Sequence, residues 1–163
     1  MRSILVVCTG NICRSPTAEG VLRAKAKERG LAVRVASAGT LDYHVGEPPD
    51  RRSMAHATQR GYDLSAQRAQ QVTRAHFQEY DYILAMDRSH LHQLEAMAPA
   101  NARAKLAMFL ETSATWKGED VPDPYYGGAA GFEQVLDMIE EAAEGWLDQI
   151  EGSDPSIVDR NPR

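Results

Sequence analysis

The sequence predicts an α/β fold, a three-layer sandwich in which helices cover both faces of a parallel sheet. Three observations carry that prediction. Short apolar runs alternate along the chain with longer amphipathic stretches, the order expected when crossover helices join parallel strands. The first apolar run, Ile4-Leu5-Val6-Val7, passes straight into a loop that ends at a helix start around Ser15-Pro16. The last long stretch puts Phe132, Val135, Leu136, Ile139, Ala143, Trp146, Leu147 and Ile150 on one helical stripe, the pattern of a helix packed on a core.

Taken in chain order, Ile4–Val7 reads as a buried strand. Ser15 is placed to cap the first helix and Pro16 suits a helix start, so this helix runs to about Arg29 and stops at Gly30. Leu31–Ala36 alternates as a second strand, and Asp50–Arg60 reads as a helix closed by Gly61. Thr73–Tyr80 is expected as a short helix and Tyr82–Ala85 as a third strand. Arg88–Met97 follows as a helix ending before Pro99, then Lys105–Leu110 as a fourth strand. Residues 1–151 are expected to form a single domain, and 152–163 a disordered C-terminal tail.

A chain of 163 residues is long enough to bury an ordinary core. Its net charge of -5 argues against general nucleic-acid binding. The charge is uneven: residues 1–110 hold 15 basic and 10 acidic side chains, residues 111–160 hold 2 and 13. The first part can therefore receive an anionic substrate, while the acidic part reads as the solvated face of the terminal helix. No apolar run approaches the ~20 residues of a membrane span, and the first run is interrupted too early for a signal peptide. Cys8 and Cys13 alone cannot build a disulfide framework. A cytoplasmic protein without membrane or nucleic-acid partners is expected.

The chemistry is concentrated in Cys8-Thr9-Gly10-Asn11-Ile12-Cys13-Arg14-Ser15. In open parallel sheets a ligand sits beyond the carboxyl ends of the strands, and this loop begins there. Loop amides and a helix N-terminus make an anion site, and such surroundings favour a thiolate. Arg14 adds a planar fork of donors suited to two phosphate oxygens. Gly10 permits a tight turn, Asn11 tolerates left-handed backbone and can tie the loop through its amide, and Ser15 can donate to the sulfur. A Walker loop is excluded, because the Gly-Lys-Ser/Thr ending is missing. The pattern points to phosphoryl transfer through cysteine.

Thiolate attack on a phosphate ester leaves an oxyanion that needs a proton. Asp123, within Val121-Pro122-Asp123-Pro124-Tyr125-Tyr126-Gly127-Gly128, is the leading candidate to supply it, with Asp120 and Asp87 behind. Alone that segment is turn chemistry; paired with the cysteine loop it becomes a catalytic candidate. Cys13 reads either as a small packing residue or as a resolving thiol that traps oxidised Cys8. The histidines His44, His56, His76, His90 and His92 show no metal spacing. No metal or other cofactor is expected.

With these residues assembled, residues 3–150 resemble the low-molecular-weight protein tyrosine phosphatases. The loop and helix start, Ser37-Ala38-Gly39-Thr40, His44-Val45-Gly46 with Asp50 and Arg52, Ile83-Leu84-Ala85-Met86-Asp87, and Asp123-Pro124-Tyr125-Tyr126-Gly127 through Phe132-Glu133 match in order. The resemblance implies a four-stranded parallel sheet of order 2-1-3-4 and a two-step reaction. Cys8 would form a phosphocysteine, Asp123 would protonate the leaving phenol and then activate water, and Arg14 would bind the phosphoryl group. Thr9, Gly10, Asn11, Ile12, Cys13 and Ser15 would complete the phosphate loop, and Tyr43, Tyr125 and Tyr126 would flank the substrate. Ser37, Gln67 and Asp87 would stand behind the loop. Ile12 favours phosphotyrosine over phosphoarginine, whose phosphatases carry threonine there. Related arsenate reductases need further cysteines, and none exists here. A phosphotyrosine protein or small aryl phosphate is the implied substrate, acted on by a monomer or weak dimer. The alternatives are a phosphoarginine phosphatase or arsenate reductase on the same loop, or a non-catalytic phosphate-binding module. One departure stands out: Gln67-Arg68-Ala69-Gln70-Gln71 replaces the family's His-x-Ala-Arg-Gln, whose histidine joins the network behind the loop.

Overall fold

A computed structural model describes residues 1–124 and 128–153. Four parallel strands, β1 (Arg2–Cys8), β2 (Val33–Gly39), β3 (Tyr82–Ala85) and β4 (Lys105–Met108), form one sheet in the order β2-β1-β3-β4. The helices are α1 (Arg14–Glu28), α2 (Arg51–Gln59), α3 (His76–Glu79), α4 (Arg88–Met97) and α5 (Ala129–Ser153), with a 3-10 turn at Phe109–Thr112 after β4. Both the fold class and the strand order agree with the sequence expectation. None of the helices among the described residues is long and apolar enough to cross a membrane.

β1 lies at the centre, paired on both edges, and Ile4 to Val7 are fully buried. A strand covered on both faces needs no polar alternation, which explains its unbroken apolar run. Side chains still alternate in direction. Ile4, Val6 and Cys8 join the core formed with α1 and α5, whereas Leu5 and Val7 pack with Phe77 and Leu94 beneath α3 and α4. The stripe of α5 is buried along its length, and the Trp146 indole donates to the Phe109 carbonyl at 2.7 Å.

The acidic C-terminal part does more than face solvent. Glu144 pairs with Lys25 and Arg29, and Asp148 with Arg29, which ties the end of α1 to α5. Arg60 pairs with Glu133, Asp137 and Glu140, which ties α2 to the same helix. The charge asymmetry of the sequence therefore serves packing between its halves.

Several boundaries differ from the sequence expectation. α1 begins at Arg14, with Cys13 at the cap position and no side-chain cap bond. Ser15 is thus inside the first turn and does not cap it, because its hydroxyl is engaged by the preceding loop. β2 starts at Val33 and extends to Gly39, since its register with β1 carries on until Cys8 lies opposite Gly39. α3 is a single turn, and β4 stops at Met108 where the chain tightens into the 3-10 turn. α5 continues through Ser153, two residues into the expected tail; residues 154–163 lie outside the described residues.

Gly39 lets β2 close against the loop after β1. A Cβ there would lie 2.7 Å from the Thr9 carbonyl oxygen, 3.0 Å from the Gly10 carbonyl carbon and 3.1 Å from the Asn11 nitrogen. All three are backbone atoms that cannot rotate away. Gly39→Ala is expected to lower stability by about 1–3 kcal/mol, the range for overpacking a dense site, as read by denaturant unfolding.

Candidate active site

The loop between β1 and α1 is shaped by one residue with left-handed backbone. Asn11 has φ 58, a region that asparagine tolerates better than most side chains. Its Nδ2 donates to Ser15 Oγ at 2.8 Å and to Ser37 Oγ at 2.9 Å, while its Oδ1 accepts from the Gln70 amide at 2.9 Å. Behind it, Ser37 donates to Glu19 Oε1 at 2.7 Å, and Glu19 pairs with Arg23 at 2.8 Å. Burial pushes the Glu19 carboxyl up from its ordinary range, outweighing the Ser37 and Arg23 contacts.

Outside the loop, Thr40 and Leu41 donate their amides to the carbonyls of Cys8 and Thr9 at 2.9 and 3.0 Å, and the Asp50 amide donates to Ile12 at 2.7 Å. Three of the loop's carbonyls are thereby taken. Among the described residues, the amides of Gly10 to Cys13 find no backbone acceptor. Such amides are available to an anion.

Cys8 Sγ lies 2.9 Å from Ser15 Oγ. Ser15 Oγ accepts from Asn11, so its own proton can point at the sulfur, with the Ala38 carbonyl at 3.5 Å as the more distant acceptor. Arg14 is buried, and its Nη1 donates to Asp87 Oδ2 at 2.9 Å and to the Val121 carbonyl at 3.0 Å. Asp87 also caps α4, accepting from the His90 amide at 3.1 Å and Ser89 Oγ at 2.6 Å. Burial opposes its ionisation, but the bonds from Ser89, the His90 amide and Arg14 win, and the carboxyl is held below its usual range. Asp123 Oδ2 stands 3.8 Å from Arg14 Nη2.

Cys8, Ile12, Arg14, Leu41, Tyr43 and Asp123 line a cleft of about 250 Å³. Tyr43 is 78% exposed on its rim, beside Leu41 and Val45. Gly10 admits the His44 ring, since a Cβ would lie 2.9 Å from His44 Cδ2. Cys13 is buried, and burial, with Asp50 adding, pushes its thiol up to about 12. α2 couples the two walls: Asp50 caps it, while His56 stacks on Phe132 with ring centroids 5.2 Å apart and bonds Glu133 at the start of α5.

The residues singled out in the sequence therefore converge, with two qualifications. Tyr125 and Tyr126 lie outside the described residues. Gln67 reaches the start of α1, donating to the Pro16 carbonyl at 3.0 Å, rather than Asn11 or Ser37. The place behind the loop is taken by Gln70, whose side chain donates to the Ser37 carbonyl at 3.0 Å. Asp120 accepts from the Arg88 amide at 2.9 Å and so supports α4.

Sequence reading missed Glu19 and His90. Glu19 follows Ser15 by four residues, one helical turn on the same face, and that spacing was its signal. His90 is almost wholly buried, with Nε2 2.8 Å from Thr9 Oγ1. Its only signal was its position three residues after a capping aspartate.

Comparison with known proteins agrees with this geometry. A family model described as low molecular weight phosphotyrosine protein phosphatase matches residues 3–155. A low molecular weight protein-tyrosine-phosphatase of Streptomyces coelicolor is 41% identical over 158 residues, covering 91% of this chain and 96% of that one. Among solved structures, a protein tyrosine phosphatase from Entamoeba histolytica superposes with a TM-score of 0.90 at 35% identity, covering 94% of this chain and 99% of that one. A structure titled drosophila arginine phosphatase gives 0.87 at 31% identity, covering 94% and 100%. On the family match and these identities, the chain belongs to the low molecular weight phosphotyrosine protein phosphatase family.

Proposed function

We propose that this protein hydrolyses phosphotyrosine through a phosphocysteine intermediate, with Cys8 as nucleophile and Asp123 as general acid and base. The observation that carries the reading is the Cys8 sulfur beside Ser15, in a cleft that also holds Arg14 and Asp123. The phosphoryl oxygens take the loop amides and the Arg14 fork, which suit tetrahedral and trigonal phosphorus alike. The thiolate attacks phosphorus, an S–P bond forms, and the P–O bond to the phenol breaks as Asp123 gives its proton to the leaving oxygen. Water then attacks the phosphocysteine and yields its proton to Asp123. The S–P bond breaks, phosphate leaves, and Ser15 donates to the regenerated thiolate.

Cys13 is unsuited to the nucleophile's part, because burial keeps it as the thiol. Asp87 is unsuited to the acid's part, because its bonds hold it as a carboxylate. Ile12, Leu41 and Tyr43 give the cleft apolar walls that fit an aromatic ring. Ile12 offers no hydrogen bond to a guanidinium, which favours an aryl phosphate over phosphoarginine despite the arginine phosphatase among the structural neighbours. The substrate is a phosphotyrosine protein or small aryl phosphate, hydrolysed by a cytoplasmic monomer or weak dimer whose phosphatase domain runs to the end of α5 at Ser153.

Three outcomes are expected. Cys8→Ser abolishes turnover of a phosphotyrosine peptide, and equal activity in that variant would overturn the mechanism. Asp123→Ala slows turnover about 10²–10⁴-fold, the worth of a positioned general acid; a phosphoarginine peptide cleaved faster than the phosphotyrosine one would overturn the substrate assignment. Iodoacetamide at pH 7 labels Cys8 and spares Cys13 in the native protein, while both react after denaturation, as read by peptide mass mapping.

A further inference from the structure

His90 is a buried histidine that the mechanism above does not use. It sits in the first turn of α4, three residues after the capping Asp87, so helix geometry fixes the two side chains relative to one another. Its two ring nitrogens face different partners. Nε2 lies 2.8 Å from Thr9 Oγ1, in the phosphate loop. Nδ1 is buried, makes no hydrogen bond among the described residues, and lies 3.2 Å from Asp87 Oδ1 in an out-of-line contact.

Thr9 and Asp87 also meet at Arg14. Nη2 of Arg14 donates to Thr9 Oγ1 at 3.4 Å, and Nη1 donates to Asp87 Oδ2 at 2.9 Å. The four side chains therefore form a closed ring: Asp87 to Arg14, Arg14 to Thr9, Thr9 to His90, and His90 back to Asp87. We propose that His90 is a positioning residue, which closes this ring with its proton on Nδ1 and so fixes the plane of the Arg14 guanidinium for the phosphoryl group.

The location of the proton follows from electrostatics. A bare lone pair on Nδ1 would face a carboxylate oxygen at 3.2 Å, a separation too short for a water to lie between them. A proton on Nδ1 turns that repulsion into attraction. Nε2 then carries the lone pair and accepts the Thr9 hydroxyl proton, which leaves the Thr9 oxygen to accept from Arg14. Burial keeps the ring neutral, with Arg14 acting in the same direction against Asp87, Asp120 and Asp123. A neutral imidazole is what a protonated Nδ1 facing Asp87 and an accepting Nε2 require.

The result matters because of how the Arg14 donors divide. Both Nη1 protons are taken, by Asp87 and Val121, and one Nη2 proton by Thr9. Nε–H and the second Nη2–H are left without a hydrogen bond among the described residues. These two lie along one edge of the guanidinium, the edge that binds an oxyanion in bidentate fashion. Thr9 thus acts on the guanidinium through its side chain and leaves substrate contact to its loop neighbours. The catalytic consequence rests on the phosphatase reading; the tautomer and the ring do not.

Two measurements test the proposal. Nitrogen-15 NMR of the histidine rings is expected to show His90 protonated on Nδ1 and not on Nε2; the opposite tautomer would overturn the ring. Steady-state turnover of p-nitrophenyl phosphate, with vanadate as inhibitor, is then compared in Thr9→Val, Thr9→Ser, His90→Phe and the double variant Thr9→Val/His90→Phe. Loss of one bond in a charged network is worth about tenfold. Thr9→Val and His90→Phe should each lower kcat about tenfold and weaken vanadate about tenfold, the double variant should be no worse than either, and Thr9→Ser should restore both. Additive losses, or single variants with unchanged kcat and vanadate inhibition, would overturn it. If His90→Phe fails to fold, the Thr9→Val and Thr9→Ser pair decides alone. A wild-type protein without turnover would overturn the phosphatase reading, and the tautomer would still judge the ring.

Discussion

Asn11 holds a backbone conformation that most side chains avoid, and its amide group uses both ends to keep it there. The loop depends on this one residue. Its Nδ2 orients Ser15 and Ser37, and its Oδ1 fixes the Gln70 amide, so three separate segments are registered against a single side chain. Because Ser15 accepts from Asn11, its proton is available to the Cys8 sulfur, 2.9 Å away and nearer than the Ala38 carbonyl at 3.5 Å. Removing the amide would release the turn, the serine and the sulfur together. The left-handed turn is compatible with a stable loop because buried, satisfied hydrogen bonds compensate for it.

The charges are arranged in the same economical way. Arg14 is a buried cation, and a buried cation needs partners. Asp87 supplies one, and the bonds that Asp87 receives from Ser89 and the His90 amide keep it ionised in spite of burial. Glu19, on the other side of the loop, answers to the opposite balance: burial dominates there and favours its neutral form. The two carboxylates thus sit in environments that push them apart. Hydrogen bonds hold the one beside the guanidinium below its ordinary range, and burial pushes the one behind the loop above it.

Much of this was legible in the sequence. The apolar run before Cys8 identified the central strand, because a strand buried on both faces has no polar alternation. Gly30, at φ 64, ended the first helix where its residue type said it would. The loop was legible because Cys8, Asn11, Arg14 and Ser15 are close in the chain and act through local geometry. Contacts across long separations were legible only where the family resemblance supplied them, as for Ser37, Asp87 and Asp123. Gln70 replaced Gln67 behind the loop because the bond to Asn11 comes from a backbone amide, which no residue type announces. His90 stayed hidden for a related reason: its partner Thr9 is 81 residues away, and only the pairing of β1 with β3 brings them together. Ser15 was misread as a cap because capping and sulfur contact ask for the same residue.

The floor of the cleft and its walls differ in what they hold up. The floor is strand end, helix start and buried network, where each side chain supports others. The rim formed by Leu41, Tyr43 and Val45 projects into solvent, with Tyr43 78% and Val45 55% exposed. Surface changes of this kind shift stability by only a few tenths of a kcal/mol. The rim is consequently free of the packing constraints that hold the floor. Rim residues can be exchanged at little cost in stability, whereas each buried residue of the floor is held in place by the others.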